Sequence, residues 1–111
     1  MTPIEVVESA AKKFETDKAT TAPFAADAWG CPVHPRSPEA CAWSIHGAFI
    51  AVADTPEAAW DAGDAYDEWM TARHAEGIVE LAMPKPRTKT IERLNAIAAW
   101  MRDPERSGRF G

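Results

Sequence analysis

Cys31, His34, Cys41 and His46 are the residues of this chain that most readily suggest chemistry, because thiolate and imidazole are the usual ligands of zinc. Cys31 and His34 have the C-x2-H spacing of half a zinc site. The other half is harder to build. If residues 38–53 form a helix, Cys41 and His46 sit roughly 140° apart around its axis and face different sides. Cys41 then reads as a buried, small hydrophobe. Cys31 or Ser44 can also be drawn as a nucleophile beside His34, His46 or His74, but no G-x-S-x-G frames a serine. Neither a Gly-rich phosphate loop nor H-E-x-x-H occurs. His74, near a helix end, has a simpler use as a favourable charge against the helix dipole. No catalytic residue and no cofactor is assigned.

A second constellation is acidic. Residues 54–68 carry six acids and no Lys or Arg. On a helix, Glu57, Asp61, Asp64 and Glu68 fall within one narrow arc. Like charges at i, i+4 repel by a few tenths of a kcal/mol per pair, roughly. The stripe has three readings: a solvated face, an interaction face for a basic partner, or a Mg²⁺ or Ca²⁺ site using Asp61, Asp64 and Glu68. Hard cations want oxygens converging from several elements, which one helix rarely supplies. Trp60 favours the interaction reading, because it lies next to Asp64 and Asp67 and away from the core face. Trp100 projects on the side of Arg93 and Ala96, opposite Ile91, Leu94 and Met101. An exposed Trp among charges is a typical interface anchor. The alternative packs Trp60 under the 19–36 connection and Trp100 under the C-terminal tail.

Composition bounds these readings. The chain has 111 residues, 46% hydrophobic and 26% charged, which suits one soluble domain. A net charge of −5 argues against direct nucleic-acid binding. The charge is uneven. Residues 85–109 hold seven Lys/Arg against Glu92, Asp103 and Glu105. That basic end could meet the acidic middle within one fold or between two copies, as a homodimer. Two cysteines make no disulfide framework, and no export signal or bilayer-spanning stretch is visible, so a cytoplasmic protein with reduced thiols and no membrane partner is expected.

The elements that must position these residues read as helices. Thr2-Pro3, Ser37-Pro38 and Thr55-Pro56 each place a hydroxyl N-cap before a proline at N1, and Glu5 completes a capping box with Thr2. The spacing predicts helices over about 3–16, 38–53, 56–75 and 90–102. The first has a stripe of Ile4, Val7, Ala11 and Phe14, with Glu8 and Lys12 paired outside. Residues 20–36 read as a loop pinned by Phe24, Trp29 and Val33. The second helix is apolar on almost every side and predicts the buried centre of a bundle. Gly47 costs it about 1 kcal/mol of propensity relative to Ala, which close packing would explain. The third has a core face of Ala58, Ala59, Ala62, Ala65, Tyr66, Trp69, Met70 and the stem of Arg73, with Gly77 as its stop. Residues 78–82 read as a short strand or an extra turn, and Met83-Pro84-Lys85-Pro86 as a break. The fourth has a Thr88 cap and a core face of Ile91, Leu94, Ile97, Ala98 and Met101. Residues 105–111 should fray.

The stretch Pro38 to Phe49 resembles the hallmark of a small family from actinobacteria and their phages, approximately P-x-A-x-x-W-C-x-x-G-A-L. Gly30 to Pro35 and Arg87-Thr88 fit the same outline. Ser44 stands where that family has its cysteine, and Met83-Pro84-Lys85-Pro86 replaces its Asn-Asp pair. The resemblance implies a helical domain and residence on a phage or other mobile element, and no activity.

The expected fold is a mostly α, single-domain bundle of about four helices over residues 1–103, with room for one short strand or hairpin, followed by a tail at 104–111. The expected function is a non-enzymatic interaction module. Its surface would comprise Glu57, Trp60, Asp61, Asp64, Asp67, Glu68 and Trp100. It would cover a basic, nucleic-acid-binding surface of another protein, as a phage-encoded inhibitor would. Two other classes stay open: a small metal- or cysteine-dependent enzyme and a self-associating structural subunit.

Overall fold

The computed structural model describes residues 1–78 and 87–103. The fold is four helices, α1 (Pro3–Lys13), α2 (Ile45–Val52), α3 (Pro56–Ala75) and α4 (Arg87–Met101), with four two-residue strands between α1 and α2. The strands are β1 (Lys18–Ala19), β2 (Ala25–Ala26), β3 (Pro32–Val33) and β4 (Ala42–Trp43), in the order β1-β4-β2-β3. β1 runs parallel to β4; β4 and β3 both run antiparallel to β2. The mostly helical single domain read from the sequence is therefore present, with a small sheet where one strand or hairpin was expected. Of the strand or turn read at 78–82 only Ile78 is described, and the break at Met83–Pro86 and the tail at 105–111 lie outside the described residues.

Two helix starts form as their residues dictate. Thr2 Oγ1 accepts the Glu5 N–H at 3.2 Å while Glu5 Oε1 accepts the Thr2 N–H at 2.8 Å, closing the capping box. Thr55 Oγ1 accepts the Ala58 N–H at 3.2 Å. α3 ends as Gly77 allows: its φ of 83° lets the Gly77 and Ile78 N–H groups reach back to the His74 and Arg73 carbonyls. α1 tightens after Lys13, where Glu15 and Thr16 bond three residues back.

The third start does not form. The Ser37 hydroxyl accepts the Glu39 N–H and closes a turn, and the residues after it enter the sheet. The Cys41 N–H donates to the Ala26 carbonyl at 2.8 Å, so strand pairing claims residues that helix propensity would have taken. The cap of α2 is Ser44, whose Oγ accepts the Gly47 N–H at 3.0 Å. α2 is thus half the predicted length, and it is not the centre. That place belongs to α1, which packs against α2, α3 and α4. Val6, Val7, Ala10 and Phe14 are fully buried there.

α4 begins at Arg87, so Thr88 lies inside it and caps nothing. It packs against both α1 and α3, so on its Arg93 and Trp100 flank Arg93 is buried and Trp100 half-buried, while Ala96 stays exposed. Arg93 is buried and donates to the Tyr66 hydroxyl at 2.9 Å. Glu8 pairs across to Arg102 of the α4 end, in place of the expected Lys12. Of the core face predicted for α3, Ala58, Ala59, Ala62, Ala65, Tyr66 and Trp69 are buried, whereas Met70 and Arg73 are half-buried, with the Arg73 guanidinium 5.0 Å from the Trp69 ring centroid.

The segment between α1 and α2 is tied down at three points. The Trp43 indole donates to the Pro35 carbonyl at 2.9 Å, and Lys13 Nζ lies 3.7 Å above the Trp43 ring. Arg36 donates to the Ile50 and Ala53 carbonyls, capping the C-terminal end of α2. Gly47 meets the Phe24 backbone so closely that an added Cβ would lie 1.7 Å from the Phe24 oxygen. The close packing inferred for Gly47 is real, and its partner is a strand entry.

Two predictions follow from these contacts. Gly47→Ala should raise helix propensity and still destabilise the fold by about 3 kcal/mol or more, because backbone must move; chemical denaturation measures it. The Thr2 N–H donated to Glu5 holds the Glu5 carboxyl below its ordinary range. A depressed carboxylate adds stability above its unfolded pKa and loses it as pH falls through the folded one. The Thr2 hydroxyl lowers it further, so Thr2→Ala, which keeps the N–H and removes the hydroxyl, should move the Glu5 titration partway upward in an NMR pH series.

Candidate partner-binding groove

Cys31 and Cys41 flank β2 from opposite sides: the Cys31 carbonyl accepts from Asp27, and the Cys41 N–H donates to Ala26. Two strand spacings put them roughly 9.5 Å apart. That is too far for a disulfide and places the two sulfurs on opposite sides of β2. Both thiols are free and exposed, so Cys41 is not the buried hydrophobe expected. His34 accepts the Arg36 N–H through Nδ1, and His46 lies on α2 beside α3. Among the described residues no three His, Cys, Asp or Glu side chains converge as a metal site. The Cys31, His34, Cys41, His46 set is therefore dispersed by the sheet, and Asp61, Asp64 and Glu68 do not converge either.

The nucleophile readings fare similarly. Ser44 Oγ is engaged by the Gly47 N–H and donates toward the Pro23 and Phe24 carbonyls, each at 3.2 Å. Its hydroxyl closes the N-terminus of α2 and fixes the chain entering β2. His46 Nε2 lies 3.2 Å from Asp67 Oδ1, bridging α2 to α3, and its ring meets Tyr66 edge-on at 5.1 Å. Gly63 makes room for this bridge, since a Cβ there would sit 3.2 Å from His46 Cδ2.

What the fold assembles instead is an open groove of about 300 Å³ beside that bridge. Its buried lining, the floor, is Ala59 and Gly63 of α3; its half-buried lining is Ile50 and His46 of α2; and its exposed lining, the walls and rim, is Phe24, Trp60, Asp64 and Asp67. On the helical wheel of α3, Trp60, Gly63, Asp64 and Asp67 share one face. Trp60 is 64% exposed and Phe24 47% exposed, so neither ring serves the core. The Phe24 backbone is nonetheless fixed in position, because its carbonyl accepts the Ser44 N–H at 2.9 Å and abuts Gly47.

The sequence-derived surface residues divide accordingly. Trp60, Asp64 and Asp67 border the groove. Glu57 and Asp61 continue the exposed acidic face alongside it and make no ion pair among the described residues. Glu68 is half-buried and has a partner, so it leaves the stripe. Trp100 is half-buried against the hydrophobic cluster and is not a second anchor beside Trp60. Phe24 and Ile50 were missed as groove residues, because only the turn before β2 and the short α2 bring them to Trp60. Trp29, expected to pin a loop to the core, is 89% exposed at the β2–β3 turn, where Asp27 Oδ1 accepts the Trp29 and Cys31 N–H groups.

Adding zinc should leave the melting temperature unchanged, and purified protein should hold less than stoichiometric zinc by elemental analysis, because the strand order separates the candidate ligands. Comparison with family models, with curated proteins and with solved structures finds no match for this chain, so the resemblance at Pro38 to Phe49 rests on sequence alone.

Proposed function

We propose that this chain is a non-enzymatic interaction module that docks a basic segment of another protein into the α2–α3 groove. The observation that carries this reading is Trp60, 64% exposed, beside a second exposed ring and three exposed acids, Glu57, Asp61 and Asp64, that make no ion pair among the described residues. A free tryptophan at the edge of an apolar depression is the residue type that dominates binding energy at interfaces. The surrounding acids would steer a basic partner and exclude acidic ones. A basic surface used for nucleic acid fits this chemistry, since carboxylates would compete with phosphates for the same Lys and Arg groups. An inhibitor carried by a phage or other mobile element would work in this way, by occupying the surface. The engaged Ser44 hydroxyl and the separated cysteines favour this reading over an enzyme.

The test is capture from a host lysate by the wild-type chain, Trp60→Ala and Asp64→Lys/Asp67→Lys, each checked for folding by circular dichroism. Trp60→Ala should weaken binding by about 2 kcal/mol, roughly thirtyfold, while shifting stability by less than about 0.5 kcal/mol. The captured protein should lose nucleic-acid binding when the wild-type chain is added. Equal capture by all three proteins would defeat the reading.

A further inference from the structure

We propose that the Phe24–Trp60 groove seats a single arginine side chain of the docked partner, an inference that rests on the docking reading above. A guanidinium is planar and weakly hydrated, so it stacks on an aromatic face at small desolvation cost. Its forked N–H donors also match the two oxygens of a carboxylate. The groove offers both surfaces to one group. Trp60 and Phe24 wall it, and Asp64 stands one helical turn beyond Trp60 on the same face.

The other groups around the groove narrow the choice. Asp67 Oδ1 lies 3.2 Å from His46 Nε2, which leaves Asp64 as the rim carboxylate without an ion-pair partner among the described residues. Ala59 and Gly63 give the floor no side-chain polar atom, so an occupant must satisfy its donors at the rim. A lysine ammonium is a compact, strongly hydrated point charge that gains less from stacking. A methylated ammonium prefers a cage of aromatic walls, and here carboxylates stand where further rings would be. Arg36, which lines a neighbouring cleft on the Trp60 side, is committed to the Ile50 and Ala53 carbonyls. At about 300 Å³ the groove is at the lower end of ligand-site sizes, which suits one side chain better than an extended cofactor.

The probes are hexa-arginine and hexa-lysine, equal in charge, measured by calorimetry and by the Trp60 indole N–H signal in NMR. Hexa-arginine should bind at least about fivefold more tightly and shift the Trp60 signal. Trp60→Leu should bring the two affinities together, whereas Trp29→Leu, which removes an exposed tryptophan outside the groove, should preserve the difference. Equal affinities, with both peptides shifting Trp60, would overturn the arginine seat and leave the docking reading intact. No Trp60 shift with either peptide would overturn both.

Discussion

The contact between Gly47 and the Phe24 carbonyl is the constraint on which the groove depends. Helix α2 approaches the chain entering β2 so closely that no side chain fits at residue 47. The Ser44 cap reinforces the same junction, since its N–H and hydroxyl both meet the Phe24 carbonyl. One residue without a Cβ and one hydroxyl thereby join helix and sheet. That junction pins the Phe24 backbone where Phe24 and Trp60 line the same groove, although Phe24 itself contributes little to the core. Substitution at Gly47 would disturb fold and groove together, because the same backbone carries both.

The second organising feature is the division of α3 into two chemically distinct sides. Alanines at 58, 59, 62 and 65 let α1 and α2 approach closely, while Tyr66 and Trp69 fill the remaining volume. The other side keeps Glu57, Asp61 and Asp64 in solvent. Helix α4 closes the bundle from the far side, and burying Arg93 against the Tyr66 hydroxyl gives that interface a polar contact of fixed geometry. The basic groups at the end of α4 that are described meet α1, through Arg102 and Glu8, and do not neutralise the acidic face.

The His46–Asp67 bridge separates the groove from a neighbouring cleft lined by Thr20, Ser44, Tyr66 and Thr71. It has the outline of a catalytic pair, yet the nearby hydroxyl most suited to act as a nucleophile is occupied by capping. The residues that look most reactive in the linear chain, the two cysteines and Ser44, serve strand ends and a helix cap. This is a common outcome for short polar side chains, whose first use is to satisfy backbone groups near them.

The sequence by itself determined what local chemistry controls. The Thr2 and Thr55 caps, the stop at Gly77 and the apolar stripes of α1, α3 and α4 are legible because capping and 3.6-residue periodicity act over a few residues. The place of Trp60 beside Asp64 and Asp67 was legible for the same reason, as a matter of position on one helix, whereas its exposure was decided by the tertiary structure, which leaves it uncovered by the 19–36 connection. Only the tertiary structure decided the rest. Residues 38–43 became turn and strand because hydrogen bonds to β2, distant in the chain, outweighed a plausible cap at Ser37. That exchange shortened α2, moved the centre of the bundle to α1 and separated Cys31 from Cys41. Arg93 and Trp100 were drawn inward because α4 packs on two neighbours at once, which a single helical wheel does not reveal. The groove needs Phe24, Ile50 and Trp60 from three separate segments, and no pattern within one segment encodes their meeting.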